Sequence, residues 1–532
     1  MWQFVTLCSR LTHNLCGAAG RRDADSAGQM RRIAQTAAVS IPLSAVPHER
    51  RTIRRTPAPS PCIRIGMELA KSAAMHLSSI DPSSTSPSAA TSAPASPVTR
   101  DWICPFCPLL CDDLVVESRE DATLAVPDTE CPRLAQALAC YGSADAQCGN
   151  SVDGQDADLD TALASAARIL ASARRPLFGS LTTDVAGTRA LYTLAAGCGA
   201  ILDHLHGDAM SAATLPLQDR GSFFTTLSEV RSRADLLVFF GCRPSQRYPR
   251  FFARTLEGTQ QQRDLVFVGC TPDPAASSLA NARIEALLPD ADPFDTLALW
   301  SALSEGREPG ALQDDSTGAA EALATLQARI AAAHYTVLVY EPAALPGPHA
   351  ALLIEALNRI VKAANRTVRA GCLALGGDDG ALTVNQTVTW LSGLPLRTRV
   401  STPARIAGTA PLDYDPYRYR TARLLAEGEI DALLWVASFA PPAWPQALAE
   451  DVPAIVLGHP ALAQAAKSRG GATVFIPVAT PGIDSGGHLF RVDGSVVMPL
   501  AAARGAALPS VAAIASRLAE RLHAQPAAQV QP

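Results

Sequence analysis

The chain has 532 residues, a hydrophobic content of 48% and a charged content of 18%, enough to bury large cores in two or three domains. A formal net charge of -5 gives no overall pull toward nucleic acid or an acidic membrane, and no apolar run reaches the length of a membrane span. Thirteen cysteines, an odd count without small-domain spacing, point to a reducing cytoplasm and to metal binding rather than disulfides.

The first hundred residues differ from the rest. Residues 1–66 hold ten arginines and no lysine against Asp23, Asp25 and Glu49, and residues 78–99 are nearly all Ser, Ala, Pro and Thr. Neither stretch packs a core. An Arg-rich, acid-poor start is read either as an organelle transit peptide or as a start codon placed too far upstream, with Met67 or Met75 as alternatives. The three acidic residues favour the second.

Next comes CPFCPLLCDD, with Cys104, Cys107 and Cys111 spaced two and three residues apart and Cys131 following twenty residues later. A tight triplet plus a later fourth thiolate can hold a [4Fe-4S] cluster. Zinc sites more often read as two close pairs, and Cys131 has no partner two to four residues away. An empty relic of a cluster scaffold keeps the same letters. Asp112 and Asp113 are read as the start of a strand or turn.

From residue 160 short apolar runs alternate with Ala- and Leu-rich stretches of helical length. Strands are expected at Pro176–Gly179, Ala200–Leu202, Leu236–Phe240, Leu265–Val268, Thr336–Tyr340, Ala432–Val436, Ala454–Leu457 and Thr473–Ile476. They lack polar alternation, as parallel strands covered on both faces do. Helices are expected at Thr161–Ala173 and Pro348–Ala364, and the fold class is α/β with several parallel-sheet layers. Gly179, Gly241 and Gly458 close strands ahead of polar residues, where open α/β sheets bind ligands, although ordinary tight turns give the same letters. The domains expected are an N-terminal extension (1–99), a small Cys-motif subdomain (100–155), α/β domains at 156–335 and 336–500, and a C-terminal helix and tail (501–532).

Four segments in register carry a resemblance: the Cys triplet with Asp112-Asp113, ADLLVFFGCRPSQRYPRFFART (Ala234–Thr255), ALTVNQTVTWLSGLP (Ala381–Pro395) and IPVATPGIDSGGHLFRVDG (Ile476–Gly494). Over about residues 101–500 the chain resembles the B subunit of formylmethanofuran dehydrogenase, of the molybdopterin oxidoreductases related to formate dehydrogenases. The resemblance implies that layered fold, a pyranopterin with tungsten or molybdenum held by a cysteine thiolate, and a [4Fe-4S] relay on Cys104, Cys107, Cys111 and Cys131. The metal-binding cysteine lies in a Cys-His-Gly segment in the family, and here Leu205-His206-Gly207 stands in its place. Leucine has no lone pair to donate. His206 aligns with the family's histidine, and His204 is read with it as a polar loop residue. After Cys131 the family's glycine is missing, although Arg133 can still serve as its basic residue. The expected Asp-Pro-Arg appears only as Thr271-Pro272-Asp273-Pro274, without the arginine.

These departures argue against a bound Mo/W-pterin and toward a non-redox scaffold subunit of the bacterial formyltransferase/hydrolase complex, a cytoplasmic hetero-oligomer of one-carbon metabolism. Its partners would be the other subunits and, indirectly, methanofuran. The alternatives are an active formylmethanofuran dehydrogenase and a methanofuran-binding subunit. In the latter, Arg243, Arg247 and Arg250 would hold carboxylates in the old pterin cleft, unless they are an ordinary basic loop.

Overall fold

A computed structural model describes residues 98–524 apart from 128, 143–147, 308–313, 403–409, 446 and 470, and apart from the side chains of 314–316. The expected extension therefore lies outside the described residues except for Val98 and Thr99, which open the first strand.

In chain order, β1 (Val98–Trp102), β2 (Leu114–Ser118) and β3 (Leu124–Ala125) form a small antiparallel sheet, followed by α1 (Pro132–Leu138). Then come β4 (Asn150–Val152), β5 (Gln155–Ala157), α2 (Leu159–Ser172), β6 (Pro176–Thr182), α3 (Val185–Cys198) and β7 (Ile201–Leu202). The next stretch holds α4 (Gly207–Arg220), α5 (Leu227–Arg233), β8 (Leu236–Phe240), α6 (Phe251–Thr255), β9 (Arg263–Val268), β10 (Ala282–Leu287) and α7 (Pro293–Ser304). It continues through α8 (Asp314–Ala332), β11 (Thr336–Tyr340), α9 (Ala350–Ala364), β12 (Ala370–Ala374) and α10 (Ala381–Ser392). The chain then adds β13 (Thr398–Val400), β14 (Leu412–Tyr414), α11 (Thr421–Ala426), β15 (Ala432–Ala437), β16 (Ala454–Gly458), α12 (Ala463–Ser468) and β17 (Thr473–Pro477). A hairpin of β18 (Gly487–Phe490) and β19 (Val497–Leu500) precedes α13 (Val511–Ala524).

All eight strands expected from the apolar runs are present. Two layers take them up: a nine-stranded sheet in the order β14-β13-β7-β6-β15-β16-β17-β4-β5 and a five-stranded sheet in the order β10-β9-β8-β11-β12. The second sheet is parallel throughout, as is the β7-β6-β15-β16-β17 centre of the first. Every side chain of β8, β11, β15, β16 and β17 is buried, which explains their unbroken apolar sequence. Phe239 of β8 stacks on Phe267 of β9 with ring centroids 4.6 Å apart, within the range of favourable aromatic pairs.

The expected domain boundaries need correction. A division at 335/336 cuts the five-stranded sheet in two, because β8–β10 and β11–β12 belong together. That sheet is an insertion between β7 and β13 of the larger one. Nor does the Cys-motif segment run to 155, since β4 pairs with β17 and so extends the nine-stranded sheet.

Helix starts follow their caps. Asp158 accepts from the Thr161 amide at α2, Asp184 from Gly187 at α3, and Asp292 from Phe294 and Asp295 at α7. The amphipathic α13 packs its Ile514, Leu518 and Leu522 stripe into the core beneath the nine-stranded sheet beside α3.

Two side chains, Trp102 and Arg504, tie the Cys-motif segment to the C-terminal part of the fold. The Trp102 indole donates to the Gly482 carbonyl at 2.9 Å. Arg504, with a side chain 2% exposed, pairs with Asp484 at 2.8 Å, lies over the Tyr141 ring and donates to the Ala122 and Gly142 carbonyls.

Candidate functional site

The carboxyl ends of β8, β12 and β15 meet the Cys-motif segment around a cavity of about 390 Å³, lined among others by Phe106, Arg133, Gln136, Gln246, Arg247, Asp379 and Pro441. Ligands of open α/β sheets enter at such strand ends.

One wall is the cysteine loop. It is closed by the Cys104 amide donating to the Cys111 carbonyl at 3.0 Å and the Leu110 amide donating to the Cys107 carbonyl at 2.9 Å. Cys104, Cys107 and Cys111 are buried in one apolar core, with half-buried Cys131 packed against it at the start of α1. The structure thus brings the four expected thiols into one neighbourhood of the fold. Burial pushes the Cys104 thiol up to about 12 and raises those of Cys107 and Cys111, against the opposing pull of Arg133, Arg250 and Arg254. Such thiols stay protonated at neutral pH unless a metal takes their protons. Among the described residues no three His, Cys, Asp or Glu donors are gathered closely enough for a single metal ion. A [4Fe-4S] cluster spreads its four thiolates over four irons, and four cysteines, three in one loop and one at the start of α1, match that donor set in number and kind.

Opposite the thiols lies a buried charge network. The Asp378 carboxylate is 2.7 Å from Arg133 and accepts from Arg247 at 2.9 Å and Tyr248 at 3.1 Å, while Arg247 also reaches Glu341 at 2.6 Å. Burial alone would raise Asp378, yet Arg133 and Arg247 outweigh it and hold the carboxyl below its ordinary value. Glu341 is raised, because burial there outweighs Arg247. The sequence reading missed Asp378, Asp379 and Glu341. The turn signature Gly376-Gly377-Asp378-Asp379-Gly380 was the signal available. Two of its glycines are required by geometry: Gly377 and Gly380 have φ of 94° and 79°, and a Cβ on Gly380 would lie 2.5 Å from the Thr183 carbonyl oxygen.

The three arginines expected to hold carboxylates do not converge on one point. Arg250 makes a fork with Asp113 at 2.7 and 2.6 Å, Arg247 is taken by Glu341 and Asp378, and Arg243 reaches Thr271 at 3.4 Å. The carboxylates that Arg247 and Arg250 hold are the chain's own. Asp112 and Asp113 thus do more than begin β2, since they anchor α6 through Arg250 and Arg254. Asp273 is fully buried and accepts from the Ser245 amide and hydroxyl at 2.8 and 2.5 Å, so it holds the RPSQRYP loop in shape.

Leu205 follows β7 with its side chain turned outward, 38% exposed. His204 lies in the loop after β7, as expected of a polar loop residue, but is buried there. Its Nδ1 accepts the His206 amide at 3.0 Å, and its Nε2 faces the Asp379 carbonyl at 3.2 Å. Burial, helped by His206, holds the His204 imidazole well below its usual value. His206 pairs with the Asp379 carboxylate at 2.8 Å. Both nitrogens of His204 are engaged within the protein, so it does not stand in for the missing thiolate.

No protein-family model matches the chain. Among characterised proteins it is 29% identical over 381 residues to the B subunit of the formyltransferase/hydrolase complex Fhc of Methylorubrum extorquens, covering 70% of this chain and 97% of that protein. It is 26% identical over 416 residues to the B subunit of the tungsten-containing formylmethanofuran dehydrogenase 2 of Methanocaldococcus jannaschii, covering 75% of this chain and 92% of that one. Among solved structures it is similar to a chain of the FhcABCD formyltransferase/hydrolase complex of Methylorubrum extorquens, crystallised with methylofuran. That match has a TM-score of 0.59 and 27% identity, and covers 70% of this chain and 99% of the other. Sequence and fold agree: the chain is similar to the B subunits of formylmethanofuran dehydrogenase and their counterparts in the formyltransferase/hydrolase complex.

Proposed function

We propose that this chain is the B subunit of a formyltransferase/hydrolase complex and serves it as a non-redox scaffold on the molybdopterin oxidoreductase plan. The observation that carries this reading is Leu205, whose exposed isobutyl group stands where the resemblance implies a metal-binding thiolate. A redox subunit needs metal ligand, cofactor cradle and relay together, since the loss of one interrupts the path. The cradle is compromised too. Arg247, facing the cavity, is neutralised by Asp378 and Glu341, and Asp273 has become a loop anchor.

Formyl transfer and hydrolysis to formate need no electrons, so a subunit without a redox centre is compatible with both. Cys104, Cys107, Cys111 and Cys131 are the residues that would hold a [4Fe-4S] cluster, which supplies one-electron transfer when bound. Arg133, Arg250 and Arg254 are placed to offset its charge.

The test is to assemble the complex with and without this chain, assay formate release from formyl-tetrahydromethanopterin, and analyse the intact complex for molybdenum, tungsten and iron. The scaffold reading expects transfer and hydrolysis to fall together when the chain is omitted, with no stoichiometric molybdenum or tungsten. Full activity from a stable complex lacking the chain, or near-stoichiometric tungsten in the complete one, refutes it.

A further inference from the structure

A second and larger concavity, about 700 Å³, lies on the inserted domain between α7 and α9, remote in sequence from the cysteine loop. Both helices present a stripe to it. On α7 the positions are Phe294, Leu297, Ala298 and Ser301, and on α9 they are Leu352, Glu355, Arg359 and Lys362, each set spaced three and four residues apart on one face. Its floor is apolar and only partly covered: Leu297 and Leu353 are buried, whereas Leu352, Phe223 and Phe294 are 59%, 41% and 37% exposed. Large apolar side chains gathered beside a polar rim mark an interaction surface.

The rim is basic. Five cations border the groove against two carboxylates, Glu305 and Glu355. Glu355 is shared by Arg220 at 3.0 Å and Arg359 at 2.7 Å, and Glu305 pairs with Arg307 at 2.8 Å. Lys362 and Arg366 have no acidic partner among the described residues. This local excess of positive charge stands on a chain whose net charge is -5, so an acidic group is attracted here although the chain as a whole is negative.

We propose that this groove seats an acidic, partly apolar segment of a partner subunit, its apolar side chains on Leu352, Phe223 and Phe294 and its carboxylates on Lys362 and Arg366. The inference rests on the reading of the chain as a subunit. A free small anion fits less well, because the exposed apolar floor gives it nothing.

Two measurements on the assembled complex test it. A carbodiimide joins amines to carboxylates in direct contact, and the expected product is a link from Lys362 to an Asp or Glu of a partner subunit, located by mass spectrometry. Separately, Lys362→Glu/Arg366→Glu and Leu352→Glu should each lower the fraction of this chain that co-purifies with a tagged partner at least tenfold. Rising salt should weaken the wild-type contact. All three side chains are exposed, so the variants should match wild type in circular dichroism. Variants that co-purify as wild type does, links only between copies of this chain, or binding of free polyglutamate with assembly unaffected would each overturn the proposal while leaving the subunit reading intact. Failure of the wild-type chain itself to join the complex would overturn both.

Discussion

Asp378→Asn keeps the shape of the residue at the centre of the charge network and removes its charge. The native carboxylate is 4% exposed and faces Arg133 and Arg247, which are 23% and 36% exposed. Removing one partner from a fully buried pair costs about 3–5 kcal/mol. Here both arginines reach water and Arg247 keeps Glu341, so screening reduces the loss to about 2–3 kcal/mol. At 1.36 kcal/mol per decade, local opening then becomes about 30- to 150-fold more frequent. Hydrogen exchange of the assembled complex would show it in the amides of α1 and of residues 376–381. The sign with pH follows from the lowered Asp378 carboxyl. Its stabilisation is complete above the ordinary carboxylate value and is lost as pH falls through the lower folded value. Wild type and Asp378→Asn should therefore differ at about neutral pH and converge only as the pH falls below the ordinary carboxylate range. Equal protection at neutral pH, or a gap that widens on acidification, would refute the reasoning.

Restoring the thiol with Leu205→Cys should leave formyl transfer and hydrolysis unchanged and recruit no molybdenum or tungsten, measured on the purified complex. If the complex contains iron, Cys104→Ser or Cys131→Ser should abolish a broad absorbance at roughly 400 nm; loss on changing Cys140 but not Cys131 would reassign the fourth ligand. Arg504→Met leaves the buried Asp484 carboxylate without its cation and should cost about 3–5 kcal/mol, seen as a lowered unfolding temperature. Gly380→Ala and Gly393→Ala form a controlled pair, because their φ angles are 79° and 78° but only the first would drive a Cβ against backbone. Both should show the roughly 1–2 kcal/mol cost of the left-handed conformation, with Gly380→Ala the worse by unfolding temperature.

The sequence revealed what the hydrophobic effect writes into single segments. Runs such as Leu236–Phe240 and Thr473–Ile476 are buried on both faces, so their composition alone identifies them as central parallel strands. Edge strands such as β10 and β14 are half exposed and interrupted by charged residues, so their local sequence does not mark them as strands as the buried runs do. The insertion of one sheet within another was also illegible, because it depends on β11 pairing with β8 across about a hundred residues rather than on any property of β11. The site divides in the same way. The four cysteines were found because their spacing is local. Asp378 was missed because its significance comes from Arg133, Arg247 and Tyr248, each more than a hundred positions away.

On the scaffold function proposed above, this distribution of charge explains how a fold outlasts its chemistry. A cleft built for an anionic cofactor carries arginines, and leaving them there without a counter-ion would cost several kcal/mol for each one desolvated. In this chain internal carboxylates meet that need: Asp378 and Glu341 take Arg247, Asp113 takes Arg250, and Asp378 also faces Arg133. Ion pairs that are complete within the protein leave the cleft stable with no ligand in it. Selection can then act on the outer surfaces, where the basic groove between α7 and α9 keeps unneutralised cations exposed to solvent. Paired charges around the cleft and a groove with charge to spare are what electrostatics requires of the scaffold proposed above.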